Sequence, residues 1–352
     1  MKVNLQPYSI LFYHRLAAKL FCLILCLAPG NKVTSQPRYF ITVTGKAVAD
    51  TLNTILSHEH VVTNFIGADS IRPAPLKKEK ALMILKPYFN RATQNGIATL
   101  FECTPAFIGR DALLLKTISE NFGIRIITNT GYYAAVNKKY IPSFVYSESE
   151  DQISKRWIAE FFNGIEGTGV RPGFIKLGVG DGILDSVEVK LLKAAIITSK
   201  RTGMTIAIHT GDYKAAFSEY QVAIINKLPP EKLVWVHAQN ATNEQRQRMA
   251  EMGMWISLDG ISEKNIEEYT GTILFLKKAN LLHRLLISHD DGWSVPANGS
   301  YDTLELFKNG NNAPYTAILD KLIPALKLHG FTEREIEIVT KVNPVQCFAI
   351  KE

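Results

Sequence analysis

The repeating unit of the fold is visible in residues 174–209, which read FIKLGVGDGILDSVEVKLLKAAIITSKRTGMTIAIH. A short apolar run, Phe174 to Gly178, precedes a segment from Val187 to Arg201 whose apolar positions recur with helical spacing and whose other face is charged. A second apolar run, Thr205 to His209, follows and ends in a polar side chain. This stretch therefore predicts a strand, an amphipathic helix and a second strand.

The same alternation extends along the chain from about residue 54. Eight apolar or β-branched runs indicate strands, at residues 54–58, 97–102, 125–131, 174–178, 205–209, 233–237, 255–259 and 284–290. Eight strand–helix units fit a closed barrel better than an open doubly wound sheet, which would favour a glycine-rich phosphate-binding fingerprint after its first strand. The predicted fold class is therefore α/β, a single (β/α)8 TIM barrel with a β-hairpin at about 39–50 and C-terminal helices.

The N-terminal 35 residues differ in charge from the rest of the chain. The 352 residues include 40 Lys and Arg and 33 Asp and Glu, a formal net charge of +7. Residues 1–35 hold four of these basic residues and no acidic residue, so the remainder has 36 basic against 33 acidic residues, a net charge of +3. This remainder has no basic stripe interleaved with aromatic residues, so we expect no nucleic-acid partner.

Residues 1–35 have the pattern of a secretory signal peptide. Arg15 and Lys19 precede an apolar run at 20–28 that is too short to cross a bilayer. Residues 33–35, Val-Thr-Ser, fit a small-x-small cleavage site. We therefore expect an exported protein, periplasmic or secreted, whose barrel domain covers 36–352 and does not contact the membrane after cleavage. An uncleaved membrane anchor is the alternative.

Side chains that can bind metal stand at the ends of several predicted strands. They are His58 and His60 in the first, His209 in the fifth, His237 in the sixth and Asp290 in the eighth. Active sites of such barrels lie at the carboxyl ends of the strands, and residues two apart in a strand face the same side. Imidazoles and a carboxylate are ligands that Zn²⁺ prefers. The sequence therefore predicts a divalent-metal site at the barrel mouth.

Lys176 lies inside the fourth predicted strand and has three interpretations. A protonated ammonium repels a metal ion, so Lys176 joins the site only if it is neutral or converted into a carbamate. It could instead form a Schiff base, which the surrounding histidines disfavour. The third interpretation is an ion pair with Glu102 or Asp181.

Nine short motifs follow one another along the chain. They are LSHEH at 56–60, FECTPAFIGRD at 101–111, TGYY at 130–133, GFIKLGVGDG at 173–182, GMTIAIHTG at 203–211, KLVWVHAQN at 232–240, WISLDG at 255–260, LLISHDDGW at 285–293 and NPVQCF at 343–348. In this order they resemble the phosphotriesterase family of the amidohydrolase superfamily.

The resemblance implies two divalent metal ions, expected to be Zn²⁺. One ion would be held by His58, His60 and Asp290, the other by His209 and His237, and a carboxylated Lys176 would bridge them. The implied reaction uses a hydroxide shared by the two ions, with Asp290 as the catalytic residue that takes its proton.

The implied activity is hydrolysis of an ester-type bond in a small molecule, such as a lactone, a carboxylic ester or a phosphotriester. Gly260 and Asn240 stand where family members often carry proton-relaying side chains, which leaves the substrate class open. The alternatives are an amidase acting on a small N-acyl compound and a non-catalytic periplasmic binding protein. The sequence leaves the oligomeric state open, with a homodimer as the candidate assembly. Glu102, Tyr133 and Trp293 are predicted to line the substrate pocket, with ordinary packing as the alternative for the two aromatic residues.

Overall fold

The computed structural model describes residues 38–50, 52–71, 78–296 and 303–351. The predicted signal peptide at 1–35 lies outside these residues. From Arg38 onward the chain forms one compact unit. None of the helices in the described ranges is long and apolar enough to span a bilayer.

The strands of the described residues alternate with helices, as the sequence predicts. In chain order the strands are β1 (Arg38–Thr42), β2 (Gly45–Val48), β3 (Thr54–Glu59), β4 (Val62–Thr63), β5 (Ile97–Glu102), β6 (Arg125–Ile127), β7 (Asn129–Thr130), β8 (Phe174–Gly178), β9 (Ile206–His209), β10 (Leu233–Val236), β11 (Trp255–Leu258), β12 (Leu285–Ile287), β13 (Trp293–Ser294), β14 (Glu305–Leu306) and β15 (Ile350–Lys351). The helices are α1 (Lys78–Gln94), α2 (Ala112–Phe122), α3 (Phe144–Ser147), α4 (Glu150–Asn163), α5 (Ser186–Thr202), α6 (Tyr213–Ile225), α7 (Asn243–Glu251), α8 (Ile266–Lys278), α9 (Ile323–Leu328), α10 (Glu333–Glu337) and α11 (Asn343–Phe348).

Parallel pairing arranges the strands as a barrel. Strand β3 pairs with β5 and β5 with β6, while β7 to β12 pair in chain order. Only Thr128 separates β6 from β7, so the two sheets share one strand position. At the other edge the Ser57 hydroxyl donates to the Ile287 carbonyl (3.3 Å), and the Asp290 N–H donates to the His58 carbonyl (3.2 Å). The predicted α/β TIM-barrel fold is confirmed.

Helix α5 shows why these segments fold locally as they do. The Asp185 side chain accepts hydrogen bonds from the N–H groups of Val187 and Glu188, and the Glu188 carboxylate accepts one from the Asp185 N–H. This capping box satisfies backbone donors that the first helical turn leaves unpaired. Gly203, at φ 78°, ends the helix in the left-handed conformation. The helix predicted at 187–201 therefore lies within one residue of the observed one.

Strands from the N-terminal and C-terminal parts of the described chain close the lower end of the barrel, which is the end where the parallel strands begin. The predicted hairpin is confirmed, since β1 pairs antiparallel with β2, and β15 pairs with the other edge of β1. Within the barrel the Phe101 ring lies 5.6 Å from the Phe40 ring and 4.2 Å from the Phe348 ring, measured between centroids. This aromatic packing fills the lower interior, so a site can form only at the opposite end, where the strands have their carboxyl ends.

Candidate metal centre

Three predicted ligands from the first and last barrel strands meet at one point. The Asp290 Oδ1 atom lies 3.3 Å from His58 Nε2 and 3.1 Å from His60 Nε2. Two ligands each bound about 2.0–2.1 Å from one tetrahedral ion would be roughly 3.3 Å apart. The donor atoms of these residues therefore already have the spacing that a single divalent ion requires.

The two middle histidines form a second group beside the first. The centroids of the His209 and His237 rings are 4.5 Å apart, and the His237 ring is 5.2 Å from the His58 ring. The carboxyl ends of β9 and β10 carry this pair, because the two strands are neighbours in the sheet. The structure thus brings all four histidines predicted as ligands together with Asp290.

Lys176 reaches the same end of the barrel from β8. It pairs in register with Ala207 of β9, two residues before His209, so the side chains of Lys176 and His209 share a face of the sheet. The position requires a close approach of neighbouring backbone, because a Cβ atom at Gly131 would overlap the Lys176 carbonyl oxygen. Gly131 also has a φ of 126°, which favours glycine.

Burial favours the neutral forms that metal binding requires. Lys176 is only 2% exposed, and burial lowers its pKa. Burial also lowers the pKa of His209 to about 3 and the pKa of His237 well below its usual value. Among the described residues, neither Glu102 nor Asp181 forms an ion pair with Lys176 within 4.0 Å. The residues therefore fit a divalent-metal centre with a neutral or carboxylated lysine.

Two further residues contact the predicted ligands. The Thr104 hydroxyl lies 2.8 Å from His60 Nδ1, which leaves Nε2 of that ring facing Asp290. Asp259 accepts a hydrogen bond from the His237 N–H at 3.0 Å, and its Oδ2 atom lies 3.8 Å from His58 Nδ1. The Thr104 contact fixes the orientation of the His60 ring. Asp259 holds the backbone at His237 and lies beside the His58 ring without a hydrogen bond to it. In the sequence Asp259 stands at the end of the predicted strand 255–259, and a carboxylate at that position is the signal for a place beside the site.

The backbone turns sharply at two of the predicted ligands. His237 and Asp290 have φ values of 64° and 59°, a left-handed conformation that is uncommon outside glycine. The observed strand β10 ends directly before His237 and β12 ends at Ile287, whereas the sequence predicted strands up to and including His237 and Asp290. Backbone strain of this kind costs energy and persists where surrounding contacts impose it, often at functional sites.

The two aromatic residues predicted to line the pocket have different surroundings. The Tyr133 ring lies 4.9 Å from the His209 ring and so borders the site. Trp293 is 2% exposed, and its ring packs 5.1 Å from Tyr88 and 5.7 Å from Tyr315. Trp293 is thus placed in the core behind the mouth, as in the packing alternative, because aromatic side chains of other segments surround its ring.

Glu102 is buried and its carboxylate is already engaged. Its two oxygens accept hydrogen bonds from the N–H groups of Val61 (3.3 Å) and Thr104 (3.2 Å). Glu102 also borders a cavity of about 410 Å³ lined by Phe107 and Arg110 among others, and none of the predicted metal ligands lines that cavity. These contacts indicate that Glu102 holds the loops after β3 and β5 together.

A sequence profile described as the Phosphotriesterase family matches residues 39–348. The chain belongs to the phosphotriesterase family. The resemblance inferred from the motifs is confirmed, and the family is one of binuclear metal-dependent hydrolases.

Relatives in this family span different activities. The chain is 27% identical over 268 residues to an aryldialkylphosphatase from Saccharolobus solfataricus, which covers 74% of this chain and 83% of the relative. It is 23% identical over 345 residues to N-acetyltaurine hydrolase from Homo sapiens, which covers 88% of this chain and 97% of the relative. The solved structure of an organophosphorus hydrolase from Deinococcus radiodurans superposes with a TM-score of 0.77 at 24% identity, over 90% of this chain and 100% of that chain. That likeness shows the fold.

Proposed function

We propose that this protein is a binuclear metal-dependent hydrolase that cleaves an ester-type bond of a small molecule, a lactone or a carboxylic ester, with phosphotriester cleavage as a side activity. The observation that carries the proposal is the convergence of His58, His60 and Asp290 on one point, with His209 and His237 beside them. Membership of a hydrolase family supports the same reaction class.

Each of two ions would have its own group of ligands. His58, His60 and Asp290 would bind one divalent ion, with Zn²⁺ the expected metal, and His209 and His237 would bind the other. The neutral Nζ of Lys176 can add carbon dioxide and release a proton, which gives a carbamate with two oxygen donors for the space between the two groups. Ions bound here would polarise the substrate oxygen and lower the pKa of water.

Asp290 is the residue placed to move the proton. Its Oδ1 faces two imidazole nitrogens, so Oδ2 is the oxygen left to accept a proton from the attacking water. The side chain is 32% exposed, which allows the proton to pass on to solvent. Tyr133, packed beside His209, provides an apolar wall that limits water at the reacting centre.

The loop after β11 favours an ester over an amide. When an amide is cleaved, its nitrogen must be protonated before it can leave as an amine. The oxygen leaving group of an ester departs more readily as an anion. Gly260 carries no side chain, and the nearest polar atoms to a Cβ there would be Tyr269 Oη at 3.3 Å and Gln239 Nε2 at 3.6 Å. Tyr269 Oη donates its proton to the Asp259 carbonyl, so it is not free to protonate a leaving nitrogen.

Amide cleavage of a small N-acyl compound is the second candidate. The similarity to N-acetyltaurine hydrolase, which extends over 88% of this chain, favours it. The same metal ligands would serve both reactions, so the leaving group distinguishes the two candidates.

Turnover of a substrate panel tests the proposal. Purified protein with excess Zn²⁺ would be offered lactones, aryl esters, N-acyl amino acids, N-acetyltaurine and paraoxon, alongside a His209→Asn variant. We expect turnover of a lactone or aryl ester, lost in the variant. Turnover of N-acyl compounds alone would move the assignment to the amidase. Equal turnover by the variant, or no bound metal and no turnover, would overturn the metal-dependent mechanism and favour a binding protein.

We also propose that the protein is exported after cleavage near Ser35 and acts on a small molecule outside the cytoplasm. Support comes from the charge and hydrophobic pattern of residues 1–35. N-terminal sequencing of the protein from a bacterial periplasmic fraction should show a start near Gln36. A start at Met1 in the membrane fraction would indicate an anchor instead.

A further inference from the structure

A second group of acidic and imidazole side chains lies directly behind the metal centre. Glu59, His289 and Asp291 are each adjacent in sequence to a predicted ligand, are fully buried, and have ligand-type atoms within 4.8 Å of one another. The group has the composition of a further metal site. Its hydrogen bonds show a different role.

The acceptor atoms of this group are already in use. Glu59 Oε1 accepts from the Ser288 hydroxyl (2.7 Å), the His289 N–H (2.9 Å) and His289 Nδ1 (2.7 Å). His289 Nε2 accepts from the Ile318 N–H at 3.0 Å, so its lone pair is occupied and the ring proton sits on Nδ1. The Asp291 oxygens accept from Asn311 Nδ2 and from the Tyr315 N–H. A metal ion would have to displace these bonds, so the group does not fit one.

The Glu59 carboxylate instead accepts hydrogen bonds from the backbone on both sides of Asp290. Oε1 takes the N–H of His289, and Oε2 takes the N–H of Asp291 at 2.8 Å. The Asp290 N–H between them donates to the His58 carbonyl, and the His60 N–H donates to the Asp291 carbonyl at 2.7 Å. Strand β3 therefore engages all three consecutive N–H groups of residues 289–291, which fixes the left-handed turn that aims Asp290.

We propose that Glu59 is a positioning residue that holds the Asp290 carboxylate against His58 and His60. The proposal rests on the proposed function of these three residues as metal ligands. Because Glu59 stands between the two histidines in sequence and binds both neighbours of Asp290, it couples the ligands of the first and eighth strands. Its side chain points to the opposite side of the strand from those of His58 and His60, so it would touch neither the ion nor the substrate.

Glu59→Gln tests this role with little change in volume. The wild-type carboxylate accepts from donors on both oxygens, whereas a glutamine offers one oxygen and one NH₂ group. In either orientation the NH₂ group faces an N–H donor, so the hydrogen bond to either the His289 or the Asp291 N–H is lost. The matched control is Glu188→Gln, because Glu188 is also a buried glutamate whose oxygens accept two backbone N–H groups, those of Gly180 (2.9 Å) and Asp185 (3.0 Å).

The readouts are metal affinity and the visible spectrum of the Co²⁺-substituted protein, which reports ligand geometry. We expect Glu59→Gln to weaken the binding of one of two ions about 10- to 100-fold and to alter the Co²⁺ spectrum. We expect Glu188→Gln to lower the melting temperature without changing either readout. Wild-type affinity and spectrum in Glu59→Gln would overturn the proposal, even if its melting temperature falls. Should that variant fail to fold, Glu59→Asp keeps the negative charge but shortens the side chain by one methylene, so it cannot reach both the His289 and Asp291 N–H groups and should shift affinity in the same direction.

A crystal structure of the metal-free variant separates this proposal from the proposed function. In metal-free Glu59→Gln we expect the Asp290 turn to relax and its carboxylate to leave the two histidines. An unchanged Asp290 in that structure would overturn the positioning role whether or not the protein binds metal. A wild-type protein that binds no metal, yet shows the movement of Asp290 in the variant, would overturn only the hydrolase proposal.

Discussion

Lys176 shows how its surroundings convert an ordinary residue into a candidate ligand. In water a lysine is a hydrated cation, but at the barrel mouth it is buried beside imidazoles and its pKa is lowered. Only the neutral amine can add carbon dioxide. The chemistry therefore depends on burial, which no single residue of the motif specifies.

Lys176→Arg should abolish the bridging role while keeping a long basic side chain. The guanidinium stays protonated at any accessible pH and forms no carbamate, so we expect fewer than two bound ions per chain and a fall in turnover of about 100-fold or more. Metal analysis and turnover on the best panel substrate measure both effects. Lys200→Arg is the control, since Lys200 lies on the surface and donates to the Asn226 carbonyl. Full metal content in Lys176→Arg would contradict the bridge.

Glu219 is a buried carboxyl that we expect to be protonated. The Thr210 hydroxyl lies 2.9 Å from the Ile208 carbonyl and 2.8 Å from Glu219 Oε1, and its single hydrogen can serve only one of them. A protonated Glu219 resolves this, because it donates to Thr210 while Thr210 donates to Ile208. Burial also raises the pKa of Glu219 well above its usual value.

Glu219→Gln should therefore leave the melting temperature nearly unchanged, because the amide donates in the same place as the protonated carboxyl. Glu219→Ala should cost about 1–3 kcal/mol, since it leaves a cavity and removes the hydrogen bond to Thr210. Thermal and urea denaturation of the two variants measure the difference. A Glu219→Gln variant as unstable as Glu219→Ala would show that the native group is ionised.

At the scale of elements, the N-terminal hairpin is held to the barrel by an ion pair. Arg125 of β6 donates to Asp50 Oδ2 at 3.1 Å and to the Val48 carbonyl at 3.2 Å. The hydrogen bond from Arg125 is the main cause that lowers the pKa of Asp50. The hairpin in turn places Phe40 against the lower core, so this contact supports the closed end of the barrel.

Asp50→Asn should lower stability at neutral pH, with a difference that disappears in acid. The folded-state pKa of Asp50 lies below the unfolded value of about 3.9, so its contribution is complete above that pH and is lost as the pH falls through the lowered pKa. Melting temperatures of the wild type and variant between pH 7 and pH 2 measure this. In an Arg125→Met background Asp50→Asn should have little effect. A difference that persists unchanged at pH 2 would assign it to another cause.

At the scale of the molecule, the predicted ligands come from strands spread around the barrel. They are carried by β3, β8 and β9 and by the segments that follow β3, β10 and β12. Ions bound by these residues would link strands that are far apart in sequence. They would do so at the open end of the barrel, opposite the aromatic packing that fills the closed end. Metal binding at this centre would therefore be coupled to the stability of the barrel.

Removal of metal should lower the melting temperature of the whole domain. A ligand that binds only the folded state stabilises it by about 2.7 kcal/mol at a free concentration 100 times its Kd. Calorimetry with a chelator, followed by titration with Zn²⁺, should show a fall and a concentration-dependent recovery. A variant lacking both His58 and His209 should respond to neither addition. Equal melting curves for the chelated and metal-loaded wild type would contradict the metal centre.

The sequence by itself determined the strand–helix alternation, the family and the set of residues with metal-binding chemistry. These were readable because periodicity and motif spacing are local properties of the chain, visible in stretches such as 174–209. The sequence did not predict that Thr128 divides the third strand or that β10 and β12 end early. These features depend on backbone turns that distant contacts impose.

Only the tertiary structure decided what each buried polar group contacts. It separated Tyr133, which borders the site, from Trp293, which packs in the core, although both are aromatic residues near motif residues. It also gave Glu59 and Asp259 their roles, because each acts on a strand that is adjacent in the barrel but distant in sequence. Hydrogen bonds across a closed sheet depend on register and on side-chain direction, and those are set only when the whole barrel has folded.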